Sequence, residues 1–408
     1  MEQASSHSPS RRLAIMLAAL VAVGPFAIDT YLPAFPTMAE YFGVSTASIQ
    51  LSISFFFIGS AIGQVVGGPI SDRIGRRPVA LAGLVIYTIT SFLIVFAPSV
   101  ELLWLLRFIQ ALGGGAAVVI SAATVRDCYS GREAARMLSL ISMIMLMAPL
   151  VAPGVGSLLL ALQGWKSVFV LLTVYGSLLM LMVIFQLPET LNKHEVRQDS
   201  GIRGVMNSYG KILGHGKAMG FILCTGFSLG CLFTFLTGSS FTYIEYFGVS
   251  TTIYPIMFGS SVMLYMVFNR INMRLLNKRE PEKLIPVGMI MQFTAALLLL
   301  GYVVFFEPRV EVVYFLVLMT ISAIGFIAAN ATSCTLRYFP DDSGTANAVI
   351  GTLNFGLGGL VGILMSLLHD GTLVPIAMVM VINSVLSIFF FNLGMRVSGV
   401  GLELEKSS

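Results

Sequence analysis

Of the 20 acidic residues in this 408-residue chain, only Asp29 stands well inside a long apolar run, and among the basic residues only Arg107 does so. Glu40, Glu101, Glu245, Glu307 and Glu311 fall between such runs, and most other acids lie in polar stretches. A charge held in hydrocarbon costs at least about 2.5–3.5 kcal/mol, so both groups are expected to face protein or water. Asp29 is 17 residues from Arg12, about 25 Å along a helix, and Arg107 is 19 residues from Arg126, about 28 Å. The two opposite charges therefore sit at similar depth. Burial favours a neutral carboxyl and a nearby guanidinium favours an ionised one; a carboxyl between those influences can take up and release a proton. The competing readings are that Asp29 brakes a helix before Pro33 and that Arg107 snorkels to an interface.

The elements that must position these groups are membrane helices. Hydrophobic residues make up 56% of the chain and charged residues 11%, with mean hydropathy +0.87. Soluble domains are about 45–50% apolar and about 25% charged, so a soluble enzyme, a nucleic-acid-binding module and a disordered chain are all excluded. Runs long enough to cross a bilayer, about 20 residues each, occur at 13–32, 49–67, 79–97, 101–123, 136–161, 167–187, 218–242, 253–268, 284–306, 312–334, 346–368 and 373–395. In lipid such runs must be helices, because the backbone has no water to bond. The first run extends too far and lacks the small-residue cleavage site of a signal peptide. Four cysteines show neither a paired spacing nor histidines at metal-ligand distance, so neither a disulfide framework nor a metal site is expected.

Twenty-one of the 24 basic residues fall on one side of this pattern; only Arg107, Lys166 and Arg309 do not. The positive-inside rule makes that side cytoplasmic, with both termini on it. Glu40-Tyr41-Phe42-Gly43-Val44-Ser45-Thr46 recurs letter for letter as Glu245-Tyr246-Phe247-Gly248-Val249-Ser250-Thr251, at an offset of 205. Each copy follows the first run of a set of six. The chain thus divides into an N-terminal six-helix bundle (1–187), a cytoplasmic linker (188–217) and a C-terminal six-helix bundle (218–408). Parallel duplicated halves with a binding site between them at the membrane midplane are a transporter architecture.

Several motifs point to one family. Gly68-Pro69-Ile70-Ser71-Asp72-Arg73-Ile74-Gly75-Arg76-Arg77-Pro78 follows the second run; its glycines allow a tight turn and close helix approach, and Asp72 stands among arginines. Arg107-Phe108-Ile109-Gln110 lies in the fourth run. Ala148-Pro149-Leu150-Val151-Ala152-Pro153-Gly154-Val155-Gly156 lies in the fifth, where prolines and small residues bend a helix and admit a neighbour. Together they resemble the loop motif, the span-4 motif and the antiporter motif of the major facilitator superfamily, although Ala152 and Ser157 replace glycines usual in the last. Asp29-Thr30-Tyr31-Leu32-Pro33-Ala34-Phe35-Pro36, Gly226-Phe227-Ser228, Tyr243-Ile244-Glu245 and Gly344-Thr345-Ala346 resemble its Bcr/CflA group of drug exporters.

The resemblance implies an all-α integral membrane fold of twelve helices in two pseudo-symmetric six-helix bundles. It implies a drug/proton antiporter of bicyclomycin-like antibiotics working by alternating access in a bacterial inner membrane, monomeric, without a metal or cofactor and without nucleic acid. Small drug molecules, protons and the lipid bilayer are the partners. A cytoplasmic gate would comprise Gly68, Asp72, Arg73, Gly75, Arg76, Arg77 and Asp127, and the antiporter bend Pro149, Pro153 and Gly154. Spans 1 and 4 line the cavity in that superfamily, so Asp29 and Arg107 are expected in one proton-responsive cluster. Tyr31, Gln110, Asn330 and Asn354 are expected at the substrate cavity. A metabolite exporter such as one for amino acids, a symporter, and a transport-inactive sensor are the alternatives; the span-5 pattern and the span-1 acid speak against symport. No HExxH pattern and no Walker A loop occur, the nearest being Gly214-His215-Gly216-Lys217-Ala218. The charge asymmetry predicts that Pro98→Cys reacts with an impermeant thiol reagent outside intact cells and that Asn277→Cys reacts only after permeabilisation; the reverse pattern would sink the orientation.

Overall fold

The computed structural model describes residues 11–129, 131–190, 202–340 and 342–406. The middle of the expected linker, 191–201 with Lys193 and Arg197, lies outside the described residues. So do the side chains of Arg11, Arg132, Arg203 and Lys406.

Among the described residues the regular structure is helical, with no strand. α1 (Arg11–Asp29) gives way to a 3-10 turn, Leu32–Ala34, and the short α2 (Phe35–Phe42). There follow α3 (Thr46–Ile74), α4 (Arg76–Ile94), α5 (Val100–Cys128), α6 (Gly131–Gln163) and α7 (Lys166–Gln186). After α8 (Ile202–Gly214) come α9 (Gly216–Ser240), which continues as a π-helical segment Phe241–Tyr246, then α10 (Tyr254–Leu275) and α11 (Pro281–Phe305). α12 (Val310–Ser322), α13 (Ile324–Leu336), α14 (Ser343–Leu368) and α15 (Val374–Lys406) complete the chain.

Eleven stretches among the described residues are long and apolar enough to cross a membrane, with α1–α2 and α12–α13 each forming one stretch. The remaining expected run, 253–268, forms α10. Ser260, Ser261, Asn269 and Arg270 dilute its hydropathy, and packing compensates: Asn272 is buried and paired with Asn330 of α13 through hydrogen bonds of 2.8 and 3.2 Å.

The same neighbours recur in both halves. The first helix packs on the fifth and sixth (α1 on α6 and α7; α9 on α14 and α15), and the third on the sixth (α4 on α7; α11 on α15). α3 and α4 pack on α5 as α10 and α11 pack on α12–α13. The halves meet along two seams, α3 against α14 and α6 against α10.

Lipid tails are as apolar as leucine, so membrane helices associate through close packing rather than exclusion of water. α3 presents Gly59, Gly63 and Gly67 as one stripe to α5. A Cβ on Gly59 or Gly63 would run into the carbonyl oxygens of Phe108 or Leu112, and one on Gly67 would stand 2.7 Å from the Ala116 Cα. Gly68 is not part of this contact: the nearest atom to a Cβ there is Val119 Cγ2 at 4.0 Å, so its expected role in close approach is not seen. The stretch expected as a loop is mostly helix. α3 runs to Ile74, and Gly75 alone, at φ +109°, separates it from α4. That backbone conformation is open to glycine and strained for other residues. Gly63→Leu should destabilise the protein by at least about 1–3 kcal/mol through overpacking. Gly301→Ala on α11, where a Cβ meets nothing within 4 Å, should leave the thermal midpoint unchanged or higher.

Candidate functional site

The centre of interest is the place where α1 stops. Pro33 and Pro36 have no N–H to donate, so the α-helix cannot continue its bonding through them, and its last carbonyls need other donors. The structure supplies one to each of three. Phe26 O accepts from the Thr30 hydroxyl at 2.5 Å and more weakly from the Thr30 N–H. Ile28 O accepts from Tyr31 N at 3.4 Å. Ala27 O accepts from Arg107 Nη2 of α5 at 3.0 Å. A cation at a helix C-terminus also meets the favourable end of the helix dipole.

Arg107 is wholly buried, which excludes snorkelling. Its Nη1 donates to Gln110 Oε1 at 2.6 Å, and Gln110 Nε2 in turn donates to Ser91 Oγ at 2.6 Å. The guanidinium carbon lies 4.4 Å from the Phe56 ring centre, 4.8 Å from Tyr31 and 5.9 Å from Phe169. An aromatic cage of this kind replaces part of the lost hydration through cation–π attraction. The Tyr31 hydroxyl is hydrogen-bonded to Ser52.

Asp29 is 3% exposed. Among the described residues no donor hydrogen-bonds its carboxylate and no ion pair joins it to Arg107. The expected Asp29–Arg107 cluster is thus not closed by contact. Arg107 is held within the first half, by Gln110 of α5 and Ala27 of α1. Tyr254 shares a 2.7 Å hydrogen bond with Ser239 of α9. Its ring centre is 6.5 Å from that of Tyr243, which is 6.2 Å from Tyr314. The Tyr243 hydroxyl is buried without a hydrogen-bond partner and lies in the π-helical segment. Such segments often mark functional positions.

Three of the four residues expected at a substrate cavity are committed elsewhere. Tyr31 and Gln110 belong to the arginine cage, and Asn330 bridges to Asn272 and to Phe326 O. Asn354 alone keeps a buried acceptor, Oδ1, without a partner. Pro149 and Pro153 lie within α6, but Gly154 has open space about it. The close approach belongs instead to Gly156, where a Cβ would run into Thr30 O at the break in α1. The Gly-x-Gly spacing was the sequence signal for it.

At the basic end, Asp72 pairs with Arg76 Nη1 at 2.5 Å, and Arg76 Nε pairs with Asp127 at 2.9 Å. Arg73 is exposed there, and Arg77 Nη2 donates to Ile184 O at 2.5 Å. Glu189 also belongs to this network. Its carboxylate accepts from the N–H groups of Arg76 and Arg77 at 3.0 and 3.3 Å, capping α4, and fills the space where Gly75 lacks a Cβ. Thr190 donates to Asp127 at 2.8 Å. Tyr209 of α8 lies nearby; burial and the Asp72 carboxylate push its phenol above the usual range. The run Gly226-Phe227-Ser228-Leu229-Gly230 fits a Gly-x-Ser-x-Gly pattern but lies inside α9, and the buried Ser228 hydroxyl has no hydrogen-bond partner.

Helical bundles crossing a membrane, paired as two sets of six with a broken first helix, define a multi-pass carrier. The chain belongs to the Major Facilitator Superfamily, whose pattern it matches over residues 15–363. It is 31% identical to the uncharacterized MFS-type transporter YdgK of Bacillus subtilis over 95% of this chain and 97% of that one. It is 30% identical to a bicyclomycin resistance protein homolog of Haemophilus influenzae over 92% of this chain and 95% of that one. The crystal structure of a D-xylose-proton symporter shares the fold, with TM-score 0.73 and 14% identity over 92% of this chain and 96% of that one. Family and fold are those of transporters, not enzymes. Gly156→Val should disturb the α1–α6 contact and lower the thermal midpoint, whereas Gly154→Ala should be neutral; equal effects would show that α6 does not rest on the break.

Proposed function

We propose that this protein is a drug/proton antiporter that exports small antibiotics of the bicyclomycin kind by alternating access. Its energy source is the proton gradient, with no cofactor. The two six-helix bundles, 1–187 and 218–408, rock about a site between them, joined by the linker 188–217. The basic end with both termini faces the cytoplasm of a bacterial inner membrane, and the working unit is a monomer. The network of Asp72, Arg76, Asp127 and Glu189 acts as the cytoplasmic gate.

The observation that carries this reading is Asp29. It is a buried carboxylate with no ion-pair partner among the described residues, and it ends a broken membrane helix. A carboxylate left unpaired in such a place is expensive, and intramembrane acids mark proton and substrate paths. Protonation would remove the charge and ease closure of the halves; deprotonation would favour a state in which water or substrate reaches it. The relationship to a bicyclomycin resistance protein homolog supports the substrate class. Asp29→Asn should reduce proton-coupled export in sealed vesicles to background while the protein still folds and inserts. Undiminished drug-driven proton flux in that variant would remove Asp29 from the mechanism. No such flux in the unaltered protein with any of a panel of antibiotics would favour a sensor or a carrier of other solutes.

A further inference from the structure

The two copies of the repeated heptapeptide touch each other. Thr46, the last residue of the first copy, donates its hydroxyl to Glu245 Oε2, the first residue of the second copy, at 2.5 Å. We propose that this hydrogen bond is the outer gate of the transport cycle, a latch between the halves at the end remote from the basic network.

Its position fits a gate. Thr46 opens α3 and Glu245 lies in the π-helical segment after α9, so the bond joins one half to the other. The carboxylate stands at the N-terminus of the 29-residue α3, which Ser45 caps and where the helix dipole favours negative charge. Directly below, the α3–α14 seam is tight. Ser366 donates to Ala47 O at 3.1 Å, and a Cβ on Gly362 would run into Ser54 Oγ. Opening the halves at this end must break the Thr46–Glu245 bond before the seam can part.

The latch is single although the sequence is duplicated. The symmetry-related pair would be Glu40 and Thr251, and no hydrogen bond joins them. The left-handed glycines of the two copies match, Gly43 at φ 65° and Gly248 at φ 67°. The helices that follow do not. α3 starts at Thr46 itself, whereas α10 starts at Tyr254, with Pro255 in its first turn, so Thr251 does not open a helix.

The idea rests on the transport reading for its meaning, but its test needs neither substrate nor proton gradient. Ser54→Cys, placed beneath the latch in a background without the native cysteines, would be labelled by an impermeant maleimide added to the basic-poor face of proteoliposomes. Thr46→Val and Glu245→Ala should each speed that labelling by at least about threefold, and the double variant should be no faster than the quicker single one. Glu245→Gln, whose amide oxygen still accepts, should stay near the parent rate. Rates unchanged in both Thr46→Val and Glu245→Ala, additive effects, or Glu245→Gln as fast as Glu245→Ala would overturn the latch. Because Thr46→Val keeps the side-chain shape and its site is at the end of the fold, it tests the bond without endangering folding. If labelling responds as stated while no drug-driven proton flux exists, the gate stands and the antiporter reading falls.

Discussion

A helix that stops inside a membrane leaves carbonyl oxygens that no water can satisfy, and the centre of this protein is arranged around that constraint. The break after Asp29 frees the last carbonyls of α1. Thr30 and Tyr31 bond two of them from the same strand of chain, and Arg107 reaches across from α5 for a third. Arg107 itself needs Gln110, the rings around it and a wholly enclosed site. The arginine and the broken helix therefore support each other: neither would be stable in hydrocarbon alone. Asp29 is left without an ion pair to Arg107.

Close approach is the second condition. A hydrogen bond such as Arg107 to Ala27 O forms only where helix axes are brought near, and glycines set those distances. Gly156 seats α6 against Thr30 O, and Gly59 and Gly63 seat α3 against α5. These contacts lie within one half. The seam of α3 against the other half is close-packed as well, with Gly359 against Ile58, Gly362 against Ser54 and the Phe57 ring against Phe233, and it adds polar contacts such as Ser366 to Ala47 O.

The charged network at the basic end shows how a short motif acquires a partner that lies far along the chain. Asp72, Arg76 and Asp127 are connected through ion pairs that are individually modest where exposed. Glu189 adds a carboxylate to the first N–H groups of α4, in the space that Gly75 leaves open. One side chain after the sixth span thereby ties the end of the first bundle to its motif.

The sequence by itself determined the membrane class, the helical runs, the duplication and the motif positions, because hydropathy, charge asymmetry and exact repeats are local properties of the chain. It also singled out Asp29 and Arg107, since a lone charge among apolar residues is visible without coordinates. The tertiary structure decided what those residues touch. Similar depth along two helices did not make Asp29 and Arg107 partners, because depth fixes one coordinate and leaves helix rotation free. For the same reason Asn330, polar and in a cavity-lining span by count, turned to Asn272, and the glycine that mattered in the antiporter motif was Gly156 and not Gly154. Identical heptapeptides likewise formed one hydrogen bond between the halves and not two, because the helix that follows each copy starts at a different residue, and only packing across the halves could set which threonine met which glutamate.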